Sequence, residues 1–415
     1  MKEFRTILSL LFTFMFLVMG MVSQSFAESA IVLPKGVFGV SMEGRYYFPF
    51  EKRYNDDGKK EDIAVDYNGN LNSSIFPGLR SVETFFGMRP GSASIGWSNV
   101  SYEFQGEDFI PIFQYGITDR LTMGIKTPYY WRKNNVEASL DSSTATVGKN
   151  AFLNTLTPLF VPGTVRLTTT DAQNLIGNGL DINGDGRIDI SGYGFKPIKT
   201  WSGKGIGDIE IGGRYQYLKT DNWRLAFTGG IRLPTGEIDD PDNLADIGIG
   251  DGAYALLFNS NNDYTGIKNL LLNVSFRYDL ILPHKERLRV PDDVDHPLTR
   301  NEENVDRDIG DIIGLEASGT YEFFNGFNFS LLYKFNYKSK NDVSGDRGFR
   351  YESLENETNF IEHAAIVGLG YSTLALFQAK KFPIPMTATF LYRNRFEGKN
   401  LLDSQYIGLN LAVYF

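Results

Sequence analysis

The chain has 415 residues, with 22 Tyr, 32 Phe, no cysteine and a formal net charge of −9. The missing thiols exclude a disulfide framework, thiolate metal sites, a cysteine nucleophile and a lipidated amino terminus, and the acidic balance argues against a nucleic-acid partner. Mean hydropathy is slightly negative despite the many aromatics, so apolar surface has to sit on one face of each element, as on the outside of a membrane barrel.

At the amino terminus Lys2 and Arg5 precede an almost wholly apolar run, Ile7 to Val22, and Ser25 and Ala27 supply small residues around a cleavage point. This pattern predicts a signal peptide over 1–27 and a mature chain over 28–415. No later segment reaches the roughly 20 apolar residues that a spanning helix needs, so further membrane crossings must be made of strands.

The first strand is expected near 37–50. Region 72–100 has no decisive period and fits a loop helix, an inward-folded plug or an extra hairpin; the last would raise the strand count from twelve to fourteen. A descending strand near 101–115 and an ascending one near 120–131 flank the short turn Gly116-Ile-Thr-Asp-Arg120. A large polar segment follows at 132–206, expected to be an external loop. Within it, Asp181-Ile-Asn-Gly-Asp-Gly-Arg-Ile-Asp189 places oxygen donors at positions one, three, five and nine and glycine at six. That spacing suits a hard cation and resembles the calcium loops of EF-hand and dockerin sites, with Asp181, Asn183, Asp185 and Asp189 as side-chain ligands and the Arg187 carbonyl as a backbone ligand. It departs from them at the twelfth position, where Gly192 replaces a bidentate carboxylate. The expectation is a structural Ca2+ ion pinning the loop; a polar turn rich in Asp and Gly is the alternative.

Strands near 207–218 and 222–234 follow. In the second, Trp223, Leu225, Phe227, Ile231 and Leu233 alternate with Arg224, Ala226, Thr228 and Arg232. Successive side chains of a strand point to opposite faces, so the run has one greasy and one wet face. The same alternation marks 269–283, 327–339 and 386–396, most runs being about ten residues, enough for a tilted strand to cross the hydrocarbon core. Strands near 252–259, 311–323, 361–377 and 404–415 complete twelve. Connections alternate short and long, which assigns tight turns to the periplasm and long loops to the exterior. The final run ends with Ile407, Leu409, Leu411, Val413 on one face and an aromatic Phe415, which resembles the insertion signal read by outer-membrane assembly machinery. The fold class is therefore all-β: a transmembrane antiparallel β-barrel of about twelve strands with long external loops, embedded in outer-membrane lipid of a Gram-negative-type bacterium.

Charges on the wet face must point into the lumen, because Arg or Lys facing lipid at the midplane costs roughly 2–4 kcal/mol. Arg232, Arg277, Arg393, Arg395, Arg224 and Lys334 are the candidate solute contacts, alongside Glu43, Arg45, Lys126, Glu210, Arg214, Asp279, Glu316, Glu322 and Lys338. Such a wall favours anionic solutes; the competing reading is that these charges pair and brace a narrow barrel. Catalysis finds no constellation: of His284, His296 and His363, none has a serine nominated as its nucleophilic partner.

The runs Gly205-Ile-Gly-Asp208, Ile231-Arg-Leu-Pro-Thr-Gly236 and Gly248-Ile-Gly-Asp251 resemble the outer-membrane family of meta-pathway phenol-degradation transporters, over roughly 110–260. The resemblance implies a barrel with an uptake or export role, often for hydrophobic or aromatic compounds, and supplies no catalytic residues. The combined expectation is a channel for small anionic or aromatic solutes. The alternative is a plugged barrel serving as a structural or adhesive surface protein with a calcium-ordered external loop.

Overall fold

The computed structural model describes residues 29–292, 298–324 and 326–415. The expected signal peptide and His296 lie outside the described residues. The dominant element is one antiparallel sheet in which twelve strands close on themselves. In chain order these are β1 (Phe38–Phe50), β2 (Ser94–Thr118), β3 (Leu121–Lys126), β4 (Ile209–Lys219), β5 (Trp223–Leu233), β6 (Ala255–Ile267), β7 (Leu270–Ile281), β8 (Ile312–Phe324), β9 (Phe327–Lys338), β10 (Phe360–Ser372), β11 (Met386–Lys399) and β12 (Gln405–Tyr414). Each pairs with its chain neighbour, and β1 closes the cylinder by pairing with β2 on one side and β12 on the other, Tyr47 facing Gly106 and Tyr406. Closure leaves no open edge, which is what lets strands span lipid.

The alternation places side chains as the hydrophobic pattern demands. Trp223, Phe227, Val274, Phe276, Leu331, Leu369 and Phe390 are exposed on the outer wall, while Ala226, Asn261, Ser275, Leu332 and Leu391 are buried inside. A one-residue slip would exchange the two sets, so register is firmly specified.

One open expectation is decided, and several boundaries differ from the sequence expectation. Of the forms expected for region 72–100, the loop helix is the one present, as α1 (Leu79–Phe86), followed by the start of β2 and with no extra barrel hairpin. Its residues Phe76, Leu79 and Ile95 pack with Val147, Leu167, Leu175 and Leu180 in an apolar cluster of the external layer. The segment expected as a loop at 132–206 begins and ends as strand: Tyr129–Asp141 continues β3 outward along β2 and pairs with Trp201–Ile206, which leads into β4. Finally, β6 runs to Ile267 where a turn was expected over 260–268, and the connection after β10 contains a short helix, Leu374–Gln378.

Candidate functional site

The lumen holds a cavity of about 1750 Å³ whose charged lining runs around the barrel, through Glu43 and Arg45, Lys126, Glu210, Arg277 and Asp279, Glu316, Lys334, and Arg393 and Arg395. Each cation comes from an inward position of its strand, and the residues that join it across the sheet are set by register.

Around Arg232 the pairing is dense. Its Nη2 donates to Asp279 Oδ2 at 2.9 Å and to Glu210 Oε1 at 3.1 Å, and Nη1 lies 3.4 Å from Asp251. Arg277 Nη2 donates to the same Asp279 oxygen at 2.6 Å, and Lys126 Nζ donates to Glu210 at 3.0 Å. The Asp279 side chain has 0 % exposure. A buried carboxylate keeps its charge only with such partners, since isolated burial of an ion costs several kcal/mol. On the next two strands Lys334 Nζ meets Glu316 at 2.8 Å. Arg393 and Arg395 both pair with Glu362, Arg395 at 3.0 Å, and Arg395 also donates to the Leu402 carbonyl. The Arg393 guanidinium lies 5.4 Å from the Tyr406 ring centre and that of Arg45 lies 5.3 Å from it, distances at which a ring quadrupole attracts a cation.

The structure thus brings Arg232 and Arg277 into one network and Arg393 with Arg395 into another. Lys334 sits below the second as a separate pair. Arg224 stands apart: it lines a smaller space of about 340 Å³ with Ile31, Val32 and Gln216 near the periplasmic end. Sequence reasoning missed Glu362, the acid that two arginines share, and Asp263, which is fully buried on β6. Asp263 was detectable in principle, because Ala255, Asn259, Asn261 and Asp263 keep the inward period; the polar outward residues Ser260 and Asn262 hid it. Asn262 satisfies its amide locally, donating to the Val274 carbonyl at 3.1 Å.

The 235–251 connection packs on the wall at the external end of the barrel. Ala245, at the tip of the 235–251 connection, is buried against Ile63, Ala64, Val100, Tyr102 and Val136. Tyr102 Oη donates to the Leu244 carbonyl at 3.0 Å and Asn134 Nδ2 to that of Ala245 at 2.9 Å. The two described histidines bond to a carboxylate and a phenol: His284 Nε2 lies 3.2 Å from Glu286, and His363 Nδ1 lies 2.7 Å from Tyr333 Oη.

In the 181–189 loop, Asp181 accepts the amides of Gly184 at 2.7 Å and Gly186 at 2.8 Å, Asn183 that of Asp185, and Asp185 that of Arg187. Asp189 turns the other way, to the Ile182 amide and Asn154. Among the described residues no group of three or more His, Asp or Glu converges as metal ligands would. The donors of the loop are engaged with its own backbone, so an ion would have to draw the carboxylates together.

A closed cylinder with lipid-facing aromatics, an inward charged band and tight turns at one end matches solved membrane barrels. The COG4313 outer membrane channel from Pseudomonas putida F1 aligns over 94% of this chain and 100% of its own, with a TM-score of 0.52 and 11% identity. The chain has the fold of an outer-membrane β-barrel. Weaker similarity extends to the CymD monoaromatic hydrocarbon channel (TM-score 0.35, 10% identity, 92% of this chain and 88% of that one) and to the NanC porin (TM-score 0.33, 8% identity, 76% and 98%). No family model matches the sequence, and no curated protein does.

Proposed function

We propose that this barrel is an outer-membrane channel for small anionic solutes, aromatic acids among them. The observation that carries the reading is the lumenal cavity of about 1750 Å³ whose lining includes the guanidinium groups of Arg45, Arg277, Arg393 and Arg395. Cations exceed acids where Arg393 and Arg395 share Glu362. A surplus positive charge in a narrow, low-dielectric passage attracts anions and repels cations. The resemblance in fold to the COG4313 outer membrane channel supports passage, and the family resemblance in 110–260 supports an aromatic body on the solute. In this reading Arg232 and Arg277 serve mainly as a brace, held by Glu210 and Asp279, while Arg393, Arg395 and Lys334 meet the solute. The 235–251 connection, packed at the external end, is in this reading a lid that moves for uptake.

The test is the reversal potential of the protein in a planar bilayer under a KCl gradient. An anion-leaning potential that moves toward zero in Arg395→Gln supports the reading; a cation-leaning potential overturns it.

The packed external layer also favours a second reading, a closed barrel in which that layer is the functional surface. We propose that there the 181–189 turn takes calcium with low affinity, since Gly192 contributes no twelfth ligand and Asp181 and Asp185 would have to exchange amide partners for the ion.

A further inference from the structure

Residues Ser29 to Gly36 do not trail away from the barrel. They cross its inner face at the periplasmic end, from β6 to β2, before the chain enters β1. Ser29 Oγ donates to Asp263 Oδ2 at 2.7 Å and the Ala30 amide donates to the same oxygen at 3.1 Å, while Asn273 Nδ2 donates to Oδ1 at 2.7 Å. Gln216 Nε2 donates to the Ala30 carbonyl at 2.7 Å, the Leu33 amide to Thr122 Oγ1 at 2.7 Å, and the Lys35 amide to Asp119 Oδ1 at 3.0 Å. The Gly36 amide closes the series on the Gly116 carbonyl at 2.8 Å. Ala30 and Asp263 both have 0 % exposure. Five strands, β2 to β6, span four interstrand steps, about 19 Å, and seven extended residues cover that width.

The wall is shaped for this segment. A Cβ on Gly116 would lie 2.0 Å from the Pro34 carbonyl oxygen, so any other residue there would push the segment off. Ile31, Val32 and Leu33 form one side of the lumenal cavity near its periplasmic end; Leu374, Phe377 and Met386 line it as well. The segment therefore occupies part of the periplasmic mouth.

We infer that Ser29–Gly36 is a strap that sets the width of the periplasmic mouth, and that Asp263 is the latch holding its far end. This rests on the channel reading above. A buried carboxylate whose recorded partners are a hydroxyl and two amide donors suits a releasable latch, because removing its charge weakens three bonds at once. Asp263 acts through the strap and is a positioning residue, not a solute contact.

The test uses the full-length processed protein in bilayers and in detergent, with two variants that attack opposite ends of the strap: Asp263→Asn at the latch and Gly116→Ala at the exit. Single-channel conductance in KCl is measured together with deuterium exchange at the amides of Ala30, Leu33 and Lys35; heat-modifiable migration reports that the barrel has folded. Both variants are expected to lose protection at these amides and to raise conductance at least two-fold, with a larger cutoff for neutral polyethylene glycols. A wild-type barrel that is silent but conducts as Asp263→Asn also supports the strap, while removing the idea of a standing channel. Free strap amides with conductance unchanged overturn the proposal, whether the wild type conducts or not. Amides that stay protected in both variants overturn the latch. Reversal potential is a separate readout, so a failed anion preference leaves this result standing.

Discussion

Asp208 Oδ1 accepts the amide of Gly236 at 2.9 Å across the outer rim of β4 and β5, joining the entry of one strand to the exit of the next. The other oxygen accepts the Asp251 amide, also at 2.9 Å, where the chain returns toward β6. A Cβ on Gly236 would lie 2.6 Å from the Gly250 Cα, so the two glycine backbones touch because neither has a side chain. The three motifs that resemble the transporter family, separate in sequence, are therefore one corner. That corner anchors both ends of the 235–251 lid, and Asp251 extends it to Arg232 in the lumen. Replacing Asp208 by Ala removes two charge-assisted hydrogen bonds worth about 1.5–3 kcal/mol each before relaxation. The expected result is a lid cut by external protease at least ten times faster while the barrel stays heat-modifiable. An uncut lid would mean the corner is not its anchor.

Arg232 tests whether the lumenal charges brace the barrel. Arg232→Ala leaves Asp279 and Glu210 with Arg277 and Lys126 as their cations, around a carboxylate with 0 % exposure. Breaking a buried pair from one side costs about 3–5 kcal/mol, whereas replacing both partners by apolar groups of similar size is often neutral. Urea unfolding in lipid vesicles should show a loss of that order for Arg232→Ala and a substantial recovery in Arg232→Met/Asp279→Leu. Equal stability of the single variant and the wild type would place the brace elsewhere.

These two cases also show what the sequence could carry. The barrel was legible because lipid makes a strict demand: every outward position of β5, β7, β9 and β11 had to be apolar over about ten residues. β6 was cut short because Ser260 and Asn262 face outward, and the boundary at 132 was misplaced because a strand that leaves the membrane loses its outward apolar period. The inward facing of Arg232, Arg277 and Arg393 followed from the same alternation. Their acid partners did not, since pairing depends on the register between neighbouring strands, which alternation within one strand does not give, as for Arg393 on β11 with Glu362 on β10. Asp208 was visible as part of a motif, but its contact with Gly236 spans 28 residues and is fixed only by the fold.

The lid should respond to pH. Burial, helped by the nearby Asp239 and Asp240 carboxylates, pushes the Asp246 carboxyl up to about 6, against the opposing amide of Asp240. A carboxyl that is harder to ionise when folded favours the folded lid while neutral; that contribution falls as pH rises from about 4 through about 6 and is gone above. Protection of the 240–248 amides, corrected for intrinsic exchange, should therefore be greater at pH 5 than at pH 7.5. Asp246→Asn should flatten the difference. A variant with the same pH slope as wild type would show that another group controls the lid.

Calcium can be decided at the 181–189 turn with a variant that spares the rest of the loop. Asp185 accepts the Arg187 amide at 2.8 Å and is a nominated ligand, so Asp185→Asn retains an acceptor for the turn while removing the charge a cation needs. If the turn takes calcium, millimolar CaCl2 slows proteolysis of 142–200 in the wild type, chelator reverses this, and Asp185→Asn is insensitive to both. Low affinity is expected, in the range of about 10⁻⁴–10⁻³ M seen for weak extracellular modules, because Gly192 leaves the last ligand position empty of oxygen side chains. Identical cleavage with calcium and with chelator, across wild type and variant, would leave the turn as a hydrogen-bonded structure complete in itself. The bonds from Gly184, Gly186 and Arg187 would then account fully for its Asp and Gly content.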